Sequence, residues 1–240
     1  MDALRAFCKK QSFNPGFFGI WENPFFIIRS SIWRSIAVEA PQLKGELLDL
    51  GCGSKAYREL FNVDEYMGLD VEQSGHSHEN EEVDVYYDGK EILFADNTFD
   101  ACFSSEVFEH VFELEFSLNE IYRVMNPGVQ GLFLVPFVWH EHEEPYGFGR
   151  HSSFFLSYLF EKRGFHIESW RKDKHFVQVL VELWNLYLFN LEPNIRNLRL
   201  FLTAVFIAPF TLIGILFSVV LPKQRSLYLN NVVRVSKPKG

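Results

Sequence analysis

Short apolar runs, each cut off by turn-forming residues, dominate most of the chain. In GELLDLGCG, Gly45 to Gly53, the run stops abruptly at glycines, which predicts a buried strand. The same pattern predicts strands in EYMGLDVE, with Asp70 near its C-terminal end, and in VDVYYDG. Further strands are predicted at Phe99–Ser104, turning into a loop at Ser105 and Glu106, and in GLFLVPFVW, HIESWRK and LYLNNVVRVSKP. Between them lie helical patterns. Phe25 to Ala40 reads as one helix, and the stretch after Gly53 as another. ELEFSLNEIYRVM is amphipathic and meets a stop at Asn126-Pro127-Gly128. SSFFLSYLFEKRGF has Ser152 or Ser153 as its N-cap and Gly164 as its C-terminal stop. Gln73 to Glu82 is polar and acidic, so a solvated loop or short helix is expected there. Strands alternating with helices at this spacing predict a Rossmann-like α/β fold, a seven-stranded, mostly parallel sheet with helices on both faces.

One stretch breaks the alternation. Leu200 to Pro222 runs for 23 residues without a charge, long enough to cross a bilayer. A single crossing would put HIESWRK and LYLNNVVRVSKP on opposite sides of a membrane, which two strands of one sheet cannot be. Pro209 near its middle, and Arg196, Arg199, Lys223 and Arg225 at its ends, suit a re-entrant or interfacial hairpin. A pair of crossings with His175–Leu191 is less attractive because of Glu182. A soluble helical subdomain is the other option. Three segments follow: an aromatic and basic helical cap at 1–40, a core at 41–174 plus 226–240, and an apolar helical insertion at 175–225.

Charge and composition narrow the function. A net charge of −8 argues against a nucleic-acid partner. The cysteines Cys8, Cys52 and Cys102 are too few and scattered for a disulfide framework or zinc cluster. The first twenty residues have no apolar core with a cleavage site, so a cytoplasmic location is expected, free or peripheral on the inner face of a membrane. The 26 Phe and five Trp point to a greasy binding surface or a lipid interface. The N-terminal stretch with Trp21, Trp33, Arg29 and Arg34 suits either an interface or a lid.

The chemistry starts at LLDLGCGSKAYRELF. Gly51 and Gly53 flank Cys52, with Asp49 just before them, and glycines let a ligand lie close to backbone. Ser54, Lys55 and Ala56 stand where a dinucleotide fingerprint would need a third glycine. Asp70, about twenty residues on, is placed to accept both hydroxyls of a ribose. These stretches, with YYDGKEILFADNTFDACFSSEVFEHV and EIYRVMNPGVQGLFLVPF, resemble the class I S-adenosylmethionine-dependent methyltransferases over roughly residues 45–170 and the last strand. The resemblance implies S-adenosylmethionine as cofactor, held by Asp49, Gly51, Cys52, Gly53 and Asp70. It places Asp88 and Gly89 near the adenine and Ser105 and Glu106 at the cofactor's border. His110 matches a position that shapes the site in the wider family. A departure is Val129-Gln130 after the Asn-Pro-Gly, which touches turn chemistry only.

VWHEHEEPYGFGRHS, Val138 to Ser152, lies beyond the fifth strand, at the sheet edge where open α/β folds place ligands. His142 is the preferred proton acceptor there, with His140 and Tyr146 as further catalytic candidates. Glu143, Arg150 and His151 are candidates for binding substrate, and a solvated acidic loop is the plain alternative. The loop also resembles a His-Glu-x-Pro-Tyr-Asp-Phe-x-Arg-Tyr pattern in a bacterial subgroup, with Gly147 and His151 replacing its Asp and last Tyr. The His-x-His spacing has no fixed geometry on a loop and no obvious third ligand, so no metal site is expected. The predicted reaction is direct in-line methyl transfer to a small-molecule, glycan or lipid-linked acceptor, with a membrane surface met through 197–223. The alternatives are an inactive cofactor-binding regulatory or scaffold protein and, less favoured, a nicotinamide-dependent oxidoreductase. No oligomeric state is specified.

Overall fold

The computed structural model describes residues 11–72, 82–191 and 195–239. The loop or short helix predicted at 73–82 falls, apart from Glu82, outside them. The chain divides into two compact units, residues 36–171 with 230–240 and residues 1–35 with 172–229.

The first of these carries the α/β architecture. Its strands are β1 (Glu46–Leu50), β2 (Glu65–Val71), β3 (Val85–Tyr87), β4 (Phe99–Ser105), β5 (Met125–Pro136), β6 (His166–Asp173) and β7 (Asn230–Ser236), in a seven-stranded sheet ordered β3-β2-β1-β4-β5-β7-β6. β1 pairs in parallel with β2 on one side and with β4 on the other, so the strand order reverses at β1. β7 runs antiparallel to β5, making the sheet mostly parallel, as predicted. The central strands bury apolar residues on both faces because both faces are covered. Leu47, Leu48, Leu50, Phe103, Leu132 and Phe133 are fully buried.

Helix α1 (Phe26–Glu39) leads into the sheet, α2 (Leu114–Val124) joins β4 to β5, and α3 (Ser153–Arg163) joins β5 to β6. On α2 the buried positions Leu114, Leu118, Ile121 and Val124 recur every three or four residues, the spacing of one helix face. α3 begins where the Ser152 hydroxyl accepts the Phe155 N–H and ends at Gly164, left-handed at φ 103°.

Three expectations need correction. No α-helix follows the glycines; there is one 3-10 turn at Arg58–Leu60. Lys55 takes a left-handed φ of 48°, which interrupts helical propagation, and its ammonium pairs with Asp84. Asp84 also accepts the Gly68 N–H at 2.6 Å, which ties this stretch to β2. The Asn-Pro-Gly sequence is not a turn between elements either. β5 starts at Met125, directly after α2, and its register with β4 slips so that Phe99 faces Met125 but Ala101 faces Gln130. Gly128, at φ 86°, absorbs this bulge and donates to the Lys237 carbonyl at 2.7 Å. Finally, β4 continues through Ser105, and the turn begins at Glu106, which is left-handed at φ 59°.

In the second unit, α4 (Phe176–Leu191) packs against a long apolar helix, α5 (Arg196–Leu202) running through a π-helical turn at Thr203–Ile207 into α6 (Ala208–Val220). His175 meets the Ser218 carbonyl, Val181 the backbone at Gly214, and Asn185 the Thr211 hydroxyl, so α4 and α6 run antiparallel. A Cβ at Gly214 would sit 2.3 Å from Val181 Cγ2, so the absence of a side chain there makes room for Val181. Pro209 does not make a hairpin. It lies in the first turn of α6, where the wider π turn just before it accommodates a residue without an N–H. The most apolar 18-residue stretch of the Asn197–Val220 helix has a mean hydropathy of 2.5, and only 28 % of it is buried.

Candidate functional site

The reversal of strand order at β1 leaves a crevice at the C-terminal ends of the parallel strands, and the glycine corner forms one wall of it. Gly51 has φ 74°, and a Cβ there would lie 2.2 Å from Val107 Cγ2, so glycine is required. Gly53, at φ 48°, has no atom within 4 Å of where its Cβ would be; it forms a bare backbone cradle. Its N–H donates to Asp70 Oδ2 at 2.8 Å, while Val71 N–H donates to Oδ1 at 2.8 Å. Gly51, Gly53 and Asp70 line a cleft of about 950 Å³ together with Asp88 and Gly89. Asp88 accepts the Lys90 N–H at 2.9 Å, which shapes the turn after β3 around Gly89 at φ 80°.

Three residues predicted to touch a cofactor do not line the cleft. Asp49 is only 3 % exposed and accepts the Tyr66 hydroxyl at 2.6 Å, beneath the glycine corner. Burial pushes its carboxyl up to about 7. Cys52 turns its side chain toward the Gly68 backbone, and burial raises its thiol far above the usual range. Ser105 buries its hydroxyl without a hydrogen-bond partner. Glu106 does line the cleft, and its Oε1 accepts Asn230 Nδ2 at 2.9 Å.

The opposite wall is built from the turn after β4 and the long loop after β5. Glu143 and Tyr146 line the cleft there; His140, His142, Arg150 and His151 do not. Arg150, expected to bind substrate, donates instead to the carbonyls of His140 and Gly149, both at 2.7 Å. His151 places Nε2 3.2 Å from the Phe108 carbonyl and stacks on Phe155. Both residues hold the loop in shape. Burial lowers the basicity of His140, His142 and His151.

His142 reaches the cleft wall through His110, which does line it; their rings meet edge to face with centroids 4.9 Å apart. His110 Nε2 lies 3.7 Å from both Glu109 Oε1 and Glu143 Oε2, and its Nδ1 lies 3.1 Å from the Tyr146 carbonyl. Glu109 escaped the sequence reading. It is 1 % exposed, its carboxyl is pushed well up by burial and by Glu106, and its carbonyl accepts N–H groups from Phe148 and Gly149. Those two bonds fasten the turn after β4 to the loop after β5. Phe112, Phe116 and Phe148, also unassigned from sequence, give this end of the cleft an apolar aromatic rim. Their single aromatic positions between helix and loop carry no periodic signal.

Similarity to known proteins centres on this part of the chain. A methyltransferase-domain family matches residues 48–133, from within β1 to within β5. A malonyl-[acyl-carrier protein] O-methyltransferase from Erwinia pyrifoliae is 31 % identical over 93 residues, 36 % of this chain and 36 % of that protein. The chain thus spans about a third of that relative's length. Among solved structures, a Haemonchus contortus phosphoethanolamine N-methyltransferase 2 in complex with S-adenosyl-L-methionine aligns at TM-score 0.56 and 16 % identity, covering 96 % of this chain and 59 % of that one. The [4+2]-cyclase SpnF aligns at TM-score 0.55 and 19 % identity, covering 87 % and 81 %. At such identities the structures establish the fold, and that fold serves more than one reaction. The methyltransferase-domain match spans the glycine corner, Asp70 and the turn after β4, so over that stretch the chain is similar to a methyltransferase domain, and it shares its fold with these structures.

Proposed function

We propose that this protein transfers the methyl group of S-adenosylmethionine to a small-molecule, glycan or lipid-linked acceptor by direct in-line displacement. The observation that carries the proposal is one cleft in which an open glycine cradle and a ribose-competent carboxylate face a wall of His, Glu and Tyr. Gly51, Gly53 and Asp70 hold the donor, with Asp88 and Gly89 beside its base. The bound cofactor supplies a methyl group already activated on a sulfonium, so the protein's task is to position, exclude water and remove a proton. Phe112, Phe116 and Phe148 screen the cleft from water. Where the acceptor must lose a proton, His110, Glu143 and Tyr146 are within the cleft to receive it, with His142 behind His110. The missing third glycine and the lack of a helix N-terminus after Gly53 both disfavour a pyrophosphate, hence a nicotinamide cofactor.

A second observation extends the reading to location. Leu200, Phe201, Phe206, Ile213, Leu216 and Phe217 are each at least 40 % exposed on a helical stretch without a charge. A surface of that kind suits insertion into a lipid interface beside the cationic Lys223 and Arg225. The protein would then work peripherally on a membrane and reach lipid-linked acceptors.

Calorimetry with S-adenosylhomocysteine and NAD tests the donor assignment. Micromolar binding of the sulfur ligand, no binding of NAD, and a loss of at least about 30-fold in Asp70→Ala are expected, since a buried ribose contact to a charged group contributes on the order of 2 kcal/mol. Equal binding by Asp70→Ala, or tighter binding of NAD, overturns it.

A further inference from the structure

We infer that Glu109, His110 and His142 form a binding site for one divalent transition-metal ion at the wall of the cleft. Each offers one ligand atom, and these atoms lie within 4.8 Å of one another. Only His142 of the His-x-His pair takes part, and Glu109 and His110 come to it from the turn after β4. The fold brings them together because β4 and β5 are parallel neighbours, Ser105 opposite Leu134, and each releases its loop at the same edge of the sheet.

The donor set has the chemistry of a metal site. Two imidazoles and one carboxylate suit zinc, cobalt, manganese or iron in the divalent state and leave coordination positions open. Glu109 is 1 % exposed, and its Oε2 has no hydrogen-bond partner. A buried carboxylate oxygen left without a donor calls for a cation or a proton. Both imidazoles have their outer nitrogen against a backbone carbonyl. His110 Nδ1 lies 3.1 Å from Tyr146 O, and His142 Nδ1 lies 3.1 Å from His140 O. A ring that donates through Nδ1 presents the Nε2 lone pair, the usual outer-shell support of a metal-binding histidine. Arg150 Nη2, 3.2 Å from His142 Nδ1, also donates to the His140 carbonyl; metal binding selects the tautomer in which Nδ1–H shares that carbonyl. Glu143 Oε2, 3.7 Å from His110 Nε2, flanks the open coordination position on the cleft side.

The distances require modest closure. Ligand atoms about 2.1 Å from a tetrahedral metal stand about 3.4 Å apart. Glu109 Oε1 and His110 Nε2 are already at 3.7 Å, so the main movement falls to His142, on the loop. Glu109's carbonyl, clamped by Phe148 and Gly149 N–H groups at 2.8 and 3.1 Å, holds the two loops in register for it.

This inference rests on the methyl-transfer reading for its consequence, though not for the site itself. His110 and Glu143 line the same cleft as Gly53 and Asp70, so an open metal position faces the acceptor. The metal would bind an acceptor oxygen as a Lewis acid and favour its deprotonated form. The transferring methyl then forms a bond to that oxygen, the sulfonium takes back its electron pair, and the proton has left to water. His142 becomes a ligand in this arrangement rather than the base.

The test uses the full chain, stripped with chelator and dialysed against Zn²⁺, with Co²⁺ as a spectroscopic probe. One equivalent of Zn²⁺ per chain and a visible Co²⁺ band are expected. Glu109→Gln and His142→Ala should each weaken Zn²⁺ binding at least about tenfold, while His140→Ala, which keeps the carbonyl, should leave it intact. Absence of stoichiometric metal, or binding that Glu109→Gln and His142→Ala both leave unchanged, overturns the site. Calorimetry with S-adenosylhomocysteine runs alongside. If it binds while Zn²⁺ does not, the metal site fails and the donor assignment stands; the reverse result separates them the other way.

Discussion

The α/β unit hides carboxyl groups that ordinarily seek water, while the other unit exposes apolar side chains that ordinarily avoid it. Asp49 and Glu109 are 3 % and 1 % exposed, whereas Phe206 and Leu216 are 58 % and 63 % exposed. Both reverse the usual sorting of residues, and such reversals are informative in a way that a buried leucine is not. They also differ in kind. Asp49 and Glu109 sit at or beneath the cleft, each held by a neighbour or a clamp. The exposed apolar residues lie along one helix, and no charge interrupts them. The first reversal is the mark of a site, the second of a surface proposed to have a lipid partner.

The largest expected effect comes from correcting the second reversal. In the double variant Phe206→Lys/Leu216→Lys, the proposed lipid contact loses two apolar side chains that each contribute about 1.5–3 kcal/mol when buried. Co-sedimentation with vesicles of phosphatidylcholine and phosphatidylglycerol should therefore fall at least about 100-fold. Binding of S-adenosylhomocysteine should be unchanged, because the cleft is lined by the α/β unit alone. Undiminished sedimentation would return the helix to the class of soluble subdomains and remove the contrast.

Correcting the first reversal should act through pH. Burial raises the Asp49 carboxyl from an ordinary carboxylate value to about 7 in the folded chain. The folded state then binds the proton more tightly than the unfolded state. The contribution of Asp49 to stability is complete below about pH 4 and is lost as pH rises through about 7. At about 1.36 kcal/mol per pH unit, that loss amounts to roughly 4 kcal/mol. Asp49→Asn keeps an acceptor for the Tyr66 hydroxyl but does not titrate, so it should be the more stable form at pH 8 relative to its own stability at pH 5. Urea unfolding at the two pH values measures this, and parallel losses in both proteins would show that the carboxyl is not the group responsible.

What was legible in the sequence follows from the range of the interactions involved. The seven strands announce themselves locally, since a short apolar run ending at glycine or an acidic turn has few alternatives. Asp70 and the Gly51/Gly53 pair were readable for the same reason. Asn126-Pro127-Gly128 misled because a turn and a strand bulge place the same demands on backbone: a residue with no donor and one with positive φ. The helix expected after Gly53 failed because Lys55 is drawn to Asp84, a partner 29 residues away. Glu109 was invisible as a partner of His142 because β5 and its bulge intervene. Pro209 signalled a break, and only the π turn before it shows why the helix goes on.

A small effect is expected where sequence, burial and chemistry all agree, and it calibrates the other two. Helix α3 starts by rule: Ser152 is extended at φ −70° and ψ 156°, and its hydroxyl accepts the Phe155 N–H at 3.3 Å. Ser152→Ala removes that acceptor and leaves one more N–H of the first turn to water alone, which should cost about 1 kcal/mol. Ser152→Asp should recover it, since aspartate caps as well as serine and its charge favours the helix N-terminus. Urea midpoints of the three proteins at pH 7 measure the difference. A loss above about 2 kcal/mol in Ser152→Ala would mean that the loop from Val138 to His151, which ends at this cap, also depends on it. In that case the His142 wall and the helix start would form one cooperative unit, and the same variant would weaken Zn²⁺ binding.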